Sequence, residues 1–271
     1  MCKIILLAVS PGKLSERKKL IEKAWKYFAA SGENDGYGAL WISHRGDLAW
    51  AKSSVPSLGS HYPAYADSFN GAGGDAHIDG DGGWILMHGR TATCGVTLAN
   101  THPMLVDDDT AGLIHNGVVD SERYHCTVSS CDSEILLHAI RQDGLEGLAD
   151  VSGYFAFGAL LRHKRKGWQA HIARDDRAPL RLGTPTADTD GAGFATTDEG
   201  LRAVGWTPSG SNLKPNTYLV FAGAKLVSMR TLKKKSYQYQ RTDLDAKSWE
   251  AFKTEREAST LSGFNPAEFK L

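Results

Sequence analysis

The chain has 271 residues, 41% of them hydrophobic, with 31 Lys plus Arg balanced against 31 Asp plus Glu. That length buries a large core as one big domain or two modest ones, and one domain is the expectation. The balanced charge excludes a global field that would draw the chain to nucleic acid or to an anionic membrane surface. Four cysteines in a chain this long exclude a disulfide framework.

The first element is the apolar run Lys3-Ile4-Ile5-Leu6-Leu7-Ala8-Val9, which reads as a core strand. It is too short to span a membrane and no cleavable small-residue site follows it. Neither an anchor nor a signal peptide is expected, and a cytoplasmic, thiol-reduced setting is. Cys2 stands at the mouth of this strand and has two readings. It is a small buried hydrophobe, or it is a nucleophile exposed when Met1 is removed, as happens when the second side chain is small. In the second case the free α-amine takes the thiol proton and later returns it to a leaving amine, so one residue supplies nucleophile and base.

Ser10-Pro11-Gly12 makes a turn, and Leu14, Ile21, Ala24, Trp25 and Phe28 then recur at helical spacing, which predicts an amphipathic helix ending near Gly32. Leu40-Trp41-Ile42 and Leu48-Ala49-Trp50 flank the turn His44-Arg45-Gly46-Asp47 as two strands. Residues 69–83 form a Gly/Asp-rich loop that satisfies neither a phosphate-cradling motif nor a calcium loop, and it is a surface loop or a lid. Trp84 to His88 and Ala111 to His115 read as buried strands, and Asp132 to Gln142 as a second helix with Ile135, Leu136, Ala139 and Ile140 on one face. Strands follow at Phe155 to Leu161, Gln169 to Ala173, Phe194 to Thr196 and Tyr218 to Phe221. This order argues for layered sheets that are largely antiparallel rather than for a doubly wound parallel sheet. Cys126 and Cys131 lack the second pair that a zinc site needs.

Four stretches carry residue types suited to amide chemistry: NDGYGALW (34–41), HGRTATCG (88–95) with NTHP (100–103), IHNGVV (114–119) and CDSEILLHAI (131–140). Glutamine has an α-carboxylate, an α-ammonium and a neutral amide, so a glutaminase needs a cation, an anion and an oxyanion site around a nucleophile. Arg90 offers a planar fork matched to a carboxylate. Asp132, at a helix start, stays ionised and can hold the ammonium. Asn116 and Gly117 offer a side-chain and a backbone N–H for a tetrahedral oxyanion. Taken singly, Arg90 and Asp132 also fit an ion pair, and Asn116-Gly117 a hairpin turn.

With Cys2 in front and GYFAFGAL, ARDDRAPL, FATTDEGLRAVGW and LKPNTYLVF behind, the order of these stretches resembles the class II glutamine amidotransferases, the glutaminase branch of the N-terminal-nucleophile hydrolases. The resemblance implies an α+β fold, a four-layer αββα sandwich with mainly antiparallel sheets, over residues 1–222, with residues 223–271 as a strand/helix extension packed on the same domain. It implies Cys2 as nucleophile, Asn116 and Gly117 as oxyanion hole, Arg90 and Asp132 as substrate clamp, and Thr93 and Cys94 as further substrate contacts. It implies no metal and no organic cofactor. It implies L-glutamine as substrate and, since no acceptor domain fits after residue 222, either a separate ammonia-accepting synthase or a free-standing glutaminase or amidase. Lys3 stands where many members have glycine, and Thr91 and Cys94 where an aromatic residue and a histidine are common. The smaller wall also suits a cysteine amidase acting on another amide.

A catalytically silent scaffold of the same fold is the reading from a different class. It would bind a partner through Lys233, Lys235, Tyr237, Tyr239 and Arg241, which share one face of a strand. That row suits a nucleic-acid surface or, more simply, an edge strand guarded by lysines. Lys247 to Glu257 reads as a terminal helix.

Overall fold

A computed structural model describes residues 2–9, 14–43, 46–54, 83–106, 109–185 and 191–233. In chain order the first elements are β1 (Lys3–Val9), α1 (Leu14–Ala30), β2 (Tyr37–Ile42), β3 (Leu48–Ser53), β4 (Gly83–Gly89), β5 (Met104–Leu105) and β6 (Ala111–Asp120). Then come α2 (Ser133–Asp143), a 3-10 turn (Glu146–Asp150), β7 (Ser152–His163), β8 (Gly167–Arg174), β9 (Arg181–Thr184) and β10 (Gly193–Ala195). The last described elements are α3 (Asp198–Ala203), β11 (Thr207–Asn212), β12 (Thr217–Ala222) and β13 (Lys225–Thr231). The turn at Ser10 to Gly12, most of the 69–83 loop, the Lys/Tyr row from residue 234 onward and the Lys247 to Glu257 helix lie outside the described residues.

Two antiparallel sheets form, one of seven strands in the order β11-β9-β10-β1-β4-β2-β3 and one of six in the order β13-β12-β8-β7-β6-β5. The layering follows from the two-residue period of a strand. On β1, Ile5, Leu7 and Val9 face a cluster with Ile21, Ala24 and Phe28 of α1 and Leu201 of α3. Their neighbours Ile4, Leu6 and Ala8 join Ile114, Ala156, Leu160 and Ile172 of the other sheet. On β6 and β7 the opposite face carries Leu113, Val119, Phe155 and Phe157, which pack under Leu136, Leu137 and Ile140 of α2. Helices therefore cover both outer faces and the sheets meet in the middle, giving an αββα sandwich. A strand buried on both faces must be apolar throughout, which is why β1 reads as an unbroken hydrophobic run.

The expected strands and the two expected helices that fall in the described residues form, with β6 running five residues past its expected end and α1 ending at Ala30 with Gly32 in a left-handed turn at φ 86. The hairpin reading of Asn116-Gly117 is wrong. Both residues lie inside β6, paired with Ala156 and Phe155 of β7. The strands β11 and β13, which carry little apolar pattern, were not expected. They lie at sheet edges, where only one neighbour supplies hydrogen bonds.

Candidate active site

Cys2 precedes β1 in the centre of the seven-stranded sheet, and the pairing of Lys3 with Gly89 carries it to the end of β4, beside Arg90 and Thr91. There the thiol is held by the Thr91 backbone, accepting from its N–H at 3.4 Å and donating to its carbonyl at 3.3 Å. Burial pushes the Cys2 thiol up to about 11, against a smaller lowering by the Thr91 hydrogen bond. A thiol that stays protonated at neutral pH attacks only if a base takes its proton. Lys3 turns to Glu33, with Nζ 3.0 Å from its carboxylate.

Beneath the thiol, the 90–92 segment is fastened to the stretch between α1 and β2. Asp35 Oδ2 accepts from the Ala92 N–H at 2.7 Å, the Arg90 N–H donates to Gly36 O at 2.8 Å, and the Asp35 N–H donates to Arg90 O at 3.1 Å. Within NDGYGALW, Gly38 has a packing reason, because a Cβ there would overlap the His102 carbonyl oxygen. Asp35 was missed by sequence reasoning, although it lies in a stretch already singled out.

Arg90 is buried, and its guanidinium Nη2 donates to Cys94 O at 3.0 Å, Gly95 O at 3.1 Å and Cys94 Sγ at 3.3 Å. The cation thus braces the 94–95 turn, a role the residue pattern alone does not reveal. Thr93 is exposed on this turn and Cys94 half-buried. Asp132 stands at the N-cap position of α2 but makes no side-chain capping bond; its carboxylate instead accepts the Val119 N–H at 2.7 Å, tying α2 to the end of β6. The charges of Arg90 and Asp132 both act on the Cys2 thiol, the cation lowering its pKa and the carboxylate raising it. Both charges thus lie within electrostatic reach of Cys2, and the described bonds of Arg90 and Asp132 go to other partners.

Asn116 and Gly117 occupy β6 just before Val119. The Asn116 side chain is 1% exposed, yet neither its Nδ2 nor its Oδ1 has a hydrogen-bond partner. An unpartnered buried amide costs about 1–3 kcal/mol and calls for a reason. Gly117 has φ 150, and a Cβ would overlap the Tyr154 carbonyl oxygen, so only glycine fits. Tyr154, a residue not singled out from the sequence, sits opposite Val118 on β7, within the fields of Asp132 and Cys2.

Behind the site His88, His102 and His115 form a buried cluster, the first two rings 3.9 Å apart between centroids. His88 Nε2 lies 3.1 Å from the His115 carbonyl oxygen, and its ring bridges β4 to the strand carrying Asn116. His115 Nδ1 meets Ser133 Oγ at 2.9 Å, linking that strand to α2. The three are held neutral by burial, His88 down to about 3. Glu134, also missed, accepts the N–H groups of Thr127, Val128 and Ser129 at 2.6, 2.9 and 2.8 Å and fixes the loop leading to Cys131 and Asp132. Among the described residues no group of three or more His, Cys, Asp or Glu is arranged to hold a metal ion, and no helix is long and apolar enough to cross a membrane.

No protein-family model matches the chain, and no curated protein matches it in sequence. Solved structures do match in fold. One is the glutamine phosphoribosylpyrophosphate amidotransferase of B. subtilis, complexed with ADP and GMP, at TM-score 0.61 and 17% identity over 86% of this chain and 49% of that one. Another, described as the allosteric regulatory enzyme of purine biosynthesis, matches at TM-score 0.63 and 17% identity, over the same 86% and 49%. A predicted glutamine amidotransferase from Pseudomonas aeruginosa PA01 is similar at 13% identity over 83% of this chain and 95% of that one, with TM-score 0.43. The chain spans about half the length, 49%, of the first two. At these identities the likeness is one of fold alone, the layered α+β sandwich described above.

Proposed function

We infer that the chain is a class II glutamine amidotransferase-like glutaminase, with Cys2 attacking the side-chain amide of L-glutamine. The observation that carries this reading is the buried Asn116 amide without a partner, in a strand tied through Val119 to the Asp132 that flanks Cys2. A tetrahedral oxyanion is the acceptor such a donor lacks, and the Gly117 N–H is the second donor. The fold shared with amidotransferases supports the same assignment.

In this mechanism Met1 is removed and the Cys2 α-amine takes the thiol proton, which the raised thiol pKa makes necessary. The thiolate adds to the amide carbon, the oxyanion rests on Asn116 and Gly117, and ammonia leaves with the proton from the α-amine. Water then releases glutamate from the γ-glutamyl thioester. Arg90 meets the substrate carboxylate and Asp132 its ammonium, with Thr93 and Cys94 along the wall. Ammonia passes to a separate acceptor enzyme, in a cytoplasmic setting that keeps the thiols reduced.

Intact mass of the purified protein, with and without the glutamine-mimicking diazo ketone 6-diazo-5-oxo-norleucine, tests this. The expected result is a chain without Met1 carrying a single adduct on Cys2. An unprocessed or unlabelled chain overturns the reading. One observation favours a second reading, a cysteine amidase for another amide: Arg90 is already committed to Cys94 and Gly95, which leaves less of the cation for a carboxylate. Hydrolysis rates over a panel of glutamine and amides lacking the α-carboxylate separate the two.

A further inference from the structure

The edge strands of the two sheets, β3 and β5, meet the start of α2 around a cavity of about 250 Å³ that the amide mechanism does not use. Trp50, Met104, Leu105, Val106 and Val128 give it an apolar wall, and Lys52 of β3 supplies a cation there. Lys52 is only 9% exposed, so its charge is removed from water. The ammonium donates to Thr101 O at 3.2 Å and Pro103 O at 3.4 Å, and it lies 5.6 Å from the Trp50 ring centroid. All three partners are neutral. A buried charge is ordinarily paired with an opposite one, because desolvation otherwise works against it. Burial accordingly holds the Lys52 pKa down to about 8, the direction a cation without a counter-ion takes. An ammonium has three N–H donors, and the two carbonyls take two of them.

The two carboxylates that line the cavity do not neutralise this cation. Glu134 is taken up by the N–H groups of Thr127, Val128 and Ser129, by the hydroxyls of Thr127 and Ser129, and by His138 Nε2 at 3.1 Å. Asp109 is exposed at the mouth. Neither carboxylate raises the Lys52 pKa.

We propose that this cavity is a binding site for a small organic monocarboxylate, its carboxylate paired with the Lys52 ammonium and its apolar body against Trp50, Met104 and Val106. A concave, mostly apolar wall with one polar anchor is the general form of a small-molecule site, and this volume suits one ring or a short chain. Glu134 and Asp109 set the charge limit, since a second carboxylate on the ligand would meet them as like charges. A monoanion is therefore favoured over a dianion. The described hydrogen bonds of Lys52 go to Thr101 and Pro103 and not to Cys2, Arg90 or Asn116, so the pairing does not depend on the substrate of the amide reaction.

The test is methyl NMR of the full chain, labelled at its methionines and titrated with phenylacetate. Met104 lines the cavity, whereas Met87 is buried in β4 and Met229 lies on β13, so the methyls report where the ligand sits. The expected result is a saturable shift of the Met104 signal, assigned with Met104→Leu, while Met87 and Met229 stay unmoved. The neutral isostere phenylacetamide is expected to bind about tenfold more weakly or worse, as loss of a charge-assisted bond would give. Phenylacetate should weaken by the same factor with Lys52→Gln, which keeps an N–H for the carbonyls and removes the charge. If that variant does not fold, the comparison of acid with amide on the native chain decides. No saturable Met104 shift, a shift confined to Met87 or Met229, or equal affinity for acid and amide overturns the proposal.

Discussion

On the proposed reading, the buried and unpartnered amide of Asn116 receives its acceptor from the ligand during turnover. Asn116→Ala is therefore expected to lower kcat for glutamine hydrolysis by about 10^2- to 10^3-fold while KM changes little, since the oxyanion exists only in the transition state. Steady-state kinetics check this, and an equal loss in KM alone would sink the assignment. Cys2→Ala is expected to abolish the diazo ketone adduct and to cut turnover by more than about 10^4-fold, the scale at which nucleophile removal acts elsewhere. Gly117→Ala meets both the Tyr154 carbonyl and a φ of 150, so about 1–3 kcal/mol of stability should be lost along with activity. The residue types at these positions were singled out from the sequence because the proposed chemistry of glutamine calls for them. Arg90 as the brace of its own turn was not, since its acceptors are backbone carbonyls that any residue supplies.

Elements whose apolar residues repeat at period two or at helical spacing were readable, β1 and α2 above all, because each has to bury one or two faces. By contrast β11, TPSGSN, has no such repeat and takes strand form only because β9 offers its edge, with a register shift on the way. The loop at 127–129 owes its shape to a single carboxylate on α2. Three backbone N–H groups, with the hydroxyls of Thr127 and Ser129, converge on Glu134, and these bonds hold its carboxyl down to about 2. Glu134→Gln puts an N–H donor among donors, and chemical denaturation should report a loss of about 1.5–3 kcal/mol. An unchanged midpoint would mean that the loop is held by its other contacts.

For the whole molecule, the junction of the two sheets beside the site is built partly from neutral imidazole. His88, His102 and His115 are buried, and His88 is lowered from 6.5 to about 3. Burial sets all three folded-state pKa values below the unfolded ones, so their contribution is complete above about pH 6.5 and is lost as pH falls below it, for His88 down to about 3. For His88 the loss approaches about 1.4 kcal/mol per pH unit between its unfolded and folded values. Urea midpoints between neutral pH and the acid range should fall accordingly, and His88→Gln should flatten the slope. The sequence alone determined the layered antiparallel class and supplied the nucleophile and clamp candidates, because strand period, helix period and the residue types of a proposed chemistry are local features. Only the tertiary structure decided that Asn116-Gly117 runs inside a strand, that Asp35 and Glu134 fasten the loops, and that Arg90 braces the 94–95 turn. Those outcomes depend on which backbone N–H, carbonyl and thiol groups the packing of two sheets brings within hydrogen-bond reach.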